Sequence, residues 1–250
     1  MALTFESIGS LGRLGNQMFQ YAALRGIASH KGYDYFIQDS NNELFKYFKI
    51  PKKFGKSNSK RLEYSGVDFI EEMYNNCSDN VDLYGYFQSE KYFKNIGEEI
   101  RKDFTFYDQI YNLCNHYLNT AFKNQELVSL HIRRIDYLTD ENFVSLNIDY
   151  YNEALKYFPN LNVLIFSDDP EWCKDSFNQK NNYIIESYNA GIDLCLMSLC
   201  SYHIIANSSF SWWGSWLAKS KKTIAPLQWF QNNYSHWNTQ NIYLPDWIVL

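Results

Sequence analysis

Short apolar segments alternate with helical patterns along the second half of the chain, and this alternation limits the possible folds more than any other feature of the sequence. Strands are predicted over residues 127–132, 162–166, 183–185, 203–206 and 223–225. Helical patterns cover residues 149–158, 190–200 and 211–219, and Pro170 stands where a first helical residue is favoured. This alternation is typical of a parallel sheet with helices on both faces. Ligands of such sheets bind beyond the carboxyl ends of the strands.

The first half of the chain shows a weaker form of the same pattern. A strand is predicted over residues 3–8, a helix over 16–30 and a second strand over 32–37. From residue 41 to residue 124 the signals weaken, and a helix is predicted over residues 91–121. We therefore predict an α/β protein whose domains cover residues 1–124 and 125–250.

Composition excludes several classes of protein. The 23 basic and 28 acidic residues give a net charge of −5, which disfavours a nucleic-acid partner. The five cysteines lack metal-binding spacing and favour buried thiols in a reducing compartment. The sequence shows neither a signal peptide nor an apolar stretch of the roughly 18 residues that a membrane span requires. We expect a soluble, cytoplasmic protein without an integral membrane segment.

Aromatic residues make up 18% of the chain. Their rings offer apolar faces on which sugar rings can stack, and they also fill protein cores. Composition leaves both interpretations open.

A glycine-containing loop, Gly-Arg-Leu-Gly-Asn-Gln over residues 12–17, connects the first predicted strand to the first helix. Glycines let a backbone approach a ligand closely, and free amides at a helix start favour negative charge. The same composition is common in ordinary turns, so the loop alone supports either interpretation.

An arginine pair follows the predicted strand over residues 127–132, in the sequence His-Ile-Arg-Arg-Ile-Asp-Tyr over residues 131–137. Arginine suits planar, bidentate recognition of phosphate. The alternative is a set of surface ion pairs between these arginines and Asp136 or Asp140.

Two adjacent acids, Asp168 and Asp169, follow the next predicted strand. Paired aspartates can hold a divalent ion, but aspartate is also a favoured N-cap before a helix that begins at Pro170. A carboxylate that accepts hydrogen bonds from a purine edge or a ribose hydroxyl is favoured here over a metal ligand.

A serine-rich segment, Asn-Ser-Ser-Phe-Ser-Trp-Trp-Gly over residues 207–214, follows another strand and opens a helix. Hydroxyls and unpaired helix amides together can cradle phosphate without a lysine. Ordinary helix capping by Ser208 or Ser209 is the alternative.

Four blocks of this sequence together resemble the alpha-1,2-fucosyltransferases of glycosyltransferase family 11. They are Gly-Arg-Leu-Gly-Asn-Gln-Met-Phe-Gln-Tyr-Ala over residues 12–22, Gly-Tyr-Phe-Gln-Ser-Glu-Lys-Tyr-Phe over 85–93, the arginine block over 131–137 and the serine-rich block over 207–214. The blocks occur in the family's order and span nearly the whole chain.

The resemblance implies a GT-B-like architecture, in which two Rossmann-type domains face each other across a cleft. Residues 1–124 would lie on the acceptor side, and residues 125–250 would bind the donor, GDP-fucose. The reaction implied is the inverting transfer of L-fucose from GDP-β-L-fucose to the 2-hydroxyl of a glycan such as a β-galactoside, without metal or cofactor. A fucosyltransferase of another linkage and a non-catalytic sugar-binding protein are the alternatives, and the arginine pair argues against the latter.

The resemblance also assigns roles to residues. Its catalytic candidates are Arg133 for the diphosphate and Asn16 for the fucose and its leaving phosphate. A general base for the acceptor hydroxyl is conventional in such a transfer, and Asp136 is the first candidate, with Glu90 as runner-up. The donor-binding candidates are Gly12, Arg13, Gly15, His131, Arg134, Asp168, Asn207, Ser208, Ser209, Phe210 and Ser211. Among them, His131 and Asp168 would face the guanosine. Many family members have glycine where this chain has Ile135, and a positive φ there would strain a β-branched residue.

Overall fold

A computed structural model describes residues 1–38, 42–55, 60–185 and 189–250. The chain divides into two units, of which the first comprises residues 1–107 and 237–244 and the second residues 108–236 and 245–250. These ranges differ from the predicted division at residue 124, because the helix over Asp108–Phe122 packs within the second unit. In that helix, the Cys114 thiol donates to the Ile192 carbonyl over 3.7 Å. The assignment of acceptor and donor roles to the two parts stays a prediction.

The first unit contains a parallel sheet in the order β2-β1-β4-β3. Its strands are β1 (Ala2–Phe5), β2 (Asp34–Ile37), β3 (Lys60–Glu63) and β4 (Val81–Tyr84). Its helices are α1 (Leu14–Lys31), α2 (Leu44–Tyr47), α3 (Glu71–Asn76) and α4 (Gly97–Asp103), with 3-10 turns at Glu90–Tyr92 and Lys94–Ile96.

The helical pattern over residues 91–121 corresponds to several elements and not to one helix. The 3-10 turns and α4 occupy its first part, and a new helix, α5 (Asp108–Phe122), begins after a break. At this break Phe104 and Phe106 are buried, and Phe106 pairs with Phe48 in an isolated antiparallel bridge. The burial of these two rings and the bridge explain why the continuous helical pattern is interrupted there.

Helix α1 lies against the backbone of the segment that follows β4. A Cβ atom added at Gly26 would lie 2.0 Å from the Tyr92 carbonyl oxygen and 2.5 Å from the Phe93 Cα. Only glycine permits this approach, so α1 packs closely against the block over residues 85–93 at Gly26.

The second unit contains a parallel sheet in the order β10-β9-β8-β5-β6-β7. Its strands are β5 (Leu127–Ile132), β6 (Asn162–Ser167), β7 (Asn182–Ile185), β8 (Tyr202–Ile204), β9 (Lys222–Ala225) and β10 (Ile248–Val249). After α5, its helices are α6 (Ile148–Leu155), α7 (Pro170–Ser176), α8 (Ala190–Ser198) and α9 (Ser209–Ala218). Each strand and helix predicted in this half is present within a few residues of its expected bounds, and β10 is an additional strand.

The strand order of the second unit reverses between β5 and β8. From β5 the chain proceeds outward through β6 and β7, and it then returns to β8 on the other side and continues through β9 to β10. In open α/β sheets such a switch point leaves a crevice at the carboxyl ends of the two central strands. The ends of β5 and β8 are therefore the expected ligand position in this unit.

The tryptophans of the serine-rich block belong to the core. Trp212 and Trp213 are fully buried, and Trp216 is 2% exposed. Their rings lie 5.0–6.3 Å apart and pack against one another. For these rings the core-filling interpretation is confirmed. The five cysteines are likewise buried, as free thiols.

Over the described residues, no helix has both the length and the apolar character required for crossing a bilayer.

Replacing Gly26 with alanine tests the close packing of α1. Helix propensity alone would raise the free energy of unfolding by about 1 kcal/mol. The contact with the Tyr92 carbonyl predicts the opposite, a decrease of about 1–3 kcal/mol, measured by urea unfolding. Ser29→Ala, at an exposed position of the same helix, is the control and should change it by less than about 0.5 kcal/mol. A stabilised Gly26→Ala variant would contradict the packing described here.

Candidate functional site

His131 connects the end of β5 to the start of α9. The residue is 6% exposed, and its Nδ1 lies 3.0 Å from Ser211 Oγ. Burial, and secondarily the charge of Arg133, lowers the pKa of His131 to about 3. The ring is therefore neutral at ordinary pH and forms an uncharged hydrogen bond across the switch point.

Arg133 is held between two carboxylates directly after β5. Its Nη1 lies 3.3 Å from Asp168 Oδ2, and its Nη2 donates to Asp136 Oδ2. Burial would lower the pKa of Arg133, but the pairing with Asp136 and Asp168 outweighs it, so the pKa is raised. With a side chain only 18% exposed, Arg133 is a fixed, fully charged guanidinium at the carboxyl end of the sheet.

Asp168 orients both arginines. Its Oδ1 accepts a hydrogen bond of 2.9 Å from the Arg134 backbone N–H, while its Oδ2 faces Arg133. Arg134 extends to Asp169 Oδ2 at 3.1 Å and lies 4.2 Å above the Trp172 ring. The ion-pair alternative thus describes these residues in the structure, with Asp168 and Asp169 as partners in addition to Asp136.

Asp169 also starts α7. Its Oδ1 accepts from the Trp172 backbone N–H over 3.2 Å, and Pro170 is the first helical residue. The N-cap interpretation of one of the two acids is confirmed. Within the described ranges, no cluster of three or more His, Cys, Asp and Glu side chains has an arrangement that could hold a metal ion.

Tyr137 and Asn207 form a second connection across the switch point. The Tyr137 hydroxyl donates to the Asn207 carbonyl over 3.0 Å, and its ring stacks on Phe143 with centroids 4.6 Å apart. The Asn207 side-chain amide donates to the carbonyls of Val144 and Trp229, both at 2.9 Å. Asn207, which was predicted to bind the sugar donor, is 2% exposed, and both of its side-chain N–H groups donate to protein carbonyls. Its observed contacts position the loops around the site.

The start of α9 reaches the same edge of the sheet. Ser208 is its N-cap and accepts from the Phe210 backbone N–H over 3.3 Å, so the capping interpretation holds for Ser208. Ser209 and Phe210 are half-buried in the first turn, and the Phe210 ring lies 5.6 Å from the His131 ring. The partial positive charge of this helix start lies near the end of β5.

In the first unit, the predicted loop is built around Gly12 and Asn16. Gly12 has a φ of +84°, and a Cβ there would lie 2.4 Å from Asn16 Nδ2. Asn16 Oδ1 accepts from Gln88 Nε2 over 2.8 Å. Arg13 is exposed just before α1, and Gly15 is buried in the first turn. The position of Asn16 is thus fixed by its close packing against Gly12 and by the hydrogen bond from the Gln88 side-chain amide.

Two glutamines of α1 were not among the predicted site residues. Gln20 Nε2 donates to the carbonyls of Leu11 at 2.9 Å and Gly85 at 3.2 Å, and Gln17 Nε2 donates to that of Gly12 at 3.3 Å. Gln20 thus joins the block over residues 12–22 to the block over residues 85–93, and Gln17 holds the loop at Gly12. Their place within the family-like block over residues 12–22 is the sequence signal that could have identified them.

Ile135 fits its position without strain. It does not adopt a positive φ, and its side chain is 57% exposed. The neighbouring Asp136 is 40% exposed, and its carbonyl accepts from the Asp140 N–H over 2.9 Å in the turn that follows. Isoleucine in place of glycine therefore leaves Asp136 in contact with Arg133.

The sequence profile of glycosyl transferase family 11 matches residues 4–250. The chain belongs to this family. It is therefore a glycosyltransferase, and the family resemblance noted in the sequence is confirmed.

Three relatives illustrate the range of transfers in proteins similar to this one. The O-antigen biosynthesis glycosyltransferase WbnK of Escherichia coli is 30% identical, covering 96% of this chain and 98% of its own. An alpha-1,2-colitosyltransferase of Escherichia coli is 33% identical over 88% of this chain and 90% of its own. The galactoside alpha-(1,2)-fucosyltransferase 2 of Mus musculus is 26% identical over 85% of this chain and 68% of its own.

Two solved structures share the fold. A mutant of Arabidopsis thaliana FUT1 in complex with GDP has a TM-score of 0.60 at 12% identity and covers 93% of this chain and 71% of its own. The NodZ alpha-1,6-fucosyltransferase soaked with GDP-fucose has a TM-score of 0.56 at 12% identity, with 86% and 92% covered. Together with the two parallel sheets, this likeness confirms the predicted α/β, GT-B-like fold class.

The depressed pKa of His131 makes stability depend on pH. The unfolded chain gains a proton on this side chain as pH falls through its ordinary pKa of 6.5, whereas the folded chain stays neutral until about 3. The unfolded state binds more protons in this window, so His131 should remove about 2 kcal/mol from the free energy of unfolding between about pH 7 and about pH 5.

Urea unfolding of the wild type and of His131→Gln at several pH values measures this contribution. Glutamine can still bond Ser211 but does not titrate, so the variant should lose about 2 kcal/mol less over the same range. The variant's stability at neutral pH serves as its folding control. Identical pH dependence in the two proteins would show that His131 is not held neutral by the fold.

Proposed function

We propose that the protein transfers L-fucose from GDP-β-L-fucose to the 2-hydroxyl of a glycan acceptor, a β-galactoside, with inversion and without a metal ion. The observation that carries this proposal is the position of Arg133. Its guanidinium is fixed at the carboxyl end of β5, beside the start of α9 and next to the crevice between β5 and β8.

The chemistry of these groups suits a diphosphate. Arginine offers a planar set of N–H donors that matches two phosphate oxygens, and a helix start adds partial positive charge. Arg134 is directed to Asp169 and Trp172, so Arg133 is the cation better placed for the ligand. GDP and GDP-fucose in the FUT1 and NodZ structures support a guanosine diphosphate donor on this fold.

In the proposed reaction the acceptor hydroxyl attacks the anomeric carbon of fucose as the bond to the β-phosphate breaks. Negative charge then grows on the leaving GDP, and Arg133 and the amides at the start of α9 stabilise it. Because these donors are already fixed, little reorganisation accompanies the transfer. The acceptor's proton passes to a carboxylate, for which Asp136 is the first candidate.

Asp136 can act as base only after it separates from Arg133. The two side chains are paired in the structure. An arriving diphosphate would compete for the same guanidinium N–H groups and release the carboxylate. Donor binding would thus prepare Asp136 for the acceptor hydroxyl.

A second candidate function is alpha-1,2-colitosyl transfer. The Escherichia coli alpha-1,2-colitosyltransferase matches most of this chain at 33% identity, which supports the alpha-1,2 linkage but a different sugar. The mouse alpha-(1,2)-fucosyltransferase supports the same linkage with fucose. A fucosyltransferase of other linkage on the same scaffold remains the alternative for the acceptor.

The decisive assay incubates the purified protein with EDTA, a nucleotide-linked fucose or colitose, and a panel of β-galactosides. We expect acceptor-dependent GDP release from GDP-fucose and an alpha-1,2-linked product on linkage analysis. Faster transfer from the colitose donor would favour the second candidate. Loss of activity in EDTA that returns with a divalent ion would contradict the metal-independent reaction.

Substitution of Arg133 by alanine tests the diphosphate contact. Removing one donor of this kind typically costs about 2.7–4 kcal/mol of barrier, so kcat should fall at least about a hundredfold. Arg133→Lys should stay strongly impaired, because an ammonium cannot match two phosphate oxygens.

Arg61→Ala is the matched control, because Arg61 is a half-exposed arginine of the first unit that pairs with Asp82 at 3.4 Å. It removes the same charge and should leave kcat within a few-fold of the wild type. Near-normal turnover in Arg133→Ala would remove Arg133 from the proposed mechanism.

A further inference from the structure

Basic residues are concentrated in one short part of an otherwise acidic chain. Residues 46–61 contain seven of the 23 lysines and arginines and no aspartate or glutamate. The remaining 234 residues hold 16 basic and 28 acidic residues. The proposed transfer does not use this segment, and its charge is opposite to that of the rest of the protein.

The structure gives part of this segment a fixed place beside the sheet of the first unit. The Ile37 N–H donates to the Lys53 carbonyl over 3.0 Å, and the Gly55 N–H donates to the Ile37 carbonyl over 3.1 Å. Ile37 ends β2, which is one of the two outer strands of the described sheet. Residues 53–55 are therefore held along the sheet edge by backbone hydrogen bonds.

The same segment carries an exposed aromatic side chain. Phe54 is 40% exposed, and its ring meets that of Phe45 edge-on with centroids 5.4 Å apart. The Lys52 ammonium lies 5.7 Å from the centroid of the Phe45 ring. Lys46, Lys49 and Lys52 are exposed, whereas the Lys53 ammonium is paired with Asp34 Oδ1 at 2.7 Å. We call Lys46, Lys49, Lys52 and Phe54 the basic–aromatic patch.

We propose that the basic–aromatic patch docks the protein onto the surface of an anionic phospholipid membrane. An aromatic ring among ammonium groups suits the boundary where acyl chains meet phosphate headgroups. Lysines near an anionic surface are attracted to it, and the attraction adds up over the cluster.

A nucleic acid is the less suitable occupant. A long polyanion would extend past the patch onto a surface where acidic residues outnumber basic ones, and it would be repelled there. A membrane can be contacted by the patch alone.

Vesicle flotation without donor or acceptor tests the proposal. The probes are vesicles of phosphatidylcholine alone and vesicles that also contain phosphatidylglycerol, each at low and high salt. We expect binding to the anionic vesicles only, weakened by salt. Failure to bind them, or equal binding to the neutral vesicles, would overturn the proposal.

Two triple variants with the same net charge locate the binding surface. Each lysine near an anionic surface strengthens binding about fivefold, so changing Lys46, Lys49 and Lys52 to glutamine should weaken it about a hundredfold. Changing the exposed Lys94, Lys174 and Lys180 to glutamine should weaken it only a few-fold. Equal losses of vesicle binding in the two triple variants would show that binding depends on overall charge and would overturn the proposed role of the patch. The single variant Lys52→Gln, with an expected fivefold loss, repeats the test with minimal change.

Phe54→Ala tests the apolar contribution and should remove the vesicle binding that persists at high salt. If a single-stranded DNA oligonucleotide bound the patch more tightly than the vesicles do, the ligand of the patch would be a nucleic acid and the membrane proposal would be wrong. Turnover of a soluble β-galactoside should be unchanged in all of these variants. Vesicle binding and turnover are separate readouts, so failure of one proposal is distinguishable from failure of the other.

Discussion

A partly buried guanidinium requires carboxylate partners, and this requirement organises the end of the second unit's sheet. Leaving a charge such as that of Arg133 unpaired in a protein interior is strongly destabilising. Asp168 meets this need from the neighbouring strand end, and Asp136 meets it from the same loop. The pairing thus fixes where the loops after β5 and β6 run, and it holds the Arg133 guanidinium in one orientation at the switch point.

Hydrogen bonds of neutral groups complete the site. The His131–Ser211 and Tyr137–Asn207 contacts both join the β5 side of the switch point to the β8 side. Each such bond contributes about 1 kcal/mol to stability, and a buried group left without its partner costs more. Their shared effect is to hold the start of α9 and the arginine loop in one geometry. Preorganisation of this kind is what the proposed metal-independent transfer would require.

The second half of the fold could be predicted from the sequence because its central strands are buried on both faces. β5 is apolar along its whole length apart from Ser129 and His131, and each of its residues is buried. By contrast, β3 has the sequence Lys-Arg-Leu-Glu at a sheet edge. Its exposed polar residues lack the apolar pattern from which a strand can be predicted. The helical pattern over residues 91–121 was misleading because tertiary burial of phenylalanines interrupts it.

The strand-end positions of the candidate site residues were predictable, but their contacts were predictable only in part. Strand-end position and residue type singled out the arginine pair and the serine-rich block as candidates. They could not show that Asp168 has both carboxylate oxygens engaged by arginines, or that the Asn207 amide is committed to backbone carbonyls. Such contacts depend on how loops from different strands meet, which local sequence does not encode. Gln88 is fixed by the same kind of long-range contact, with Asn16.

A crystal structure of the protein with GDP would test the central claim most directly. We expect the diphosphate at the carboxyl ends of β5 and β8, within hydrogen-bonding distance of the Arg133 guanidinium and the start of α9. We also expect Asp136 to be separated from Arg133 in that complex. GDP bound elsewhere, or bound while Arg133 keeps both carboxylate partners and does not touch the phosphates, would contradict it.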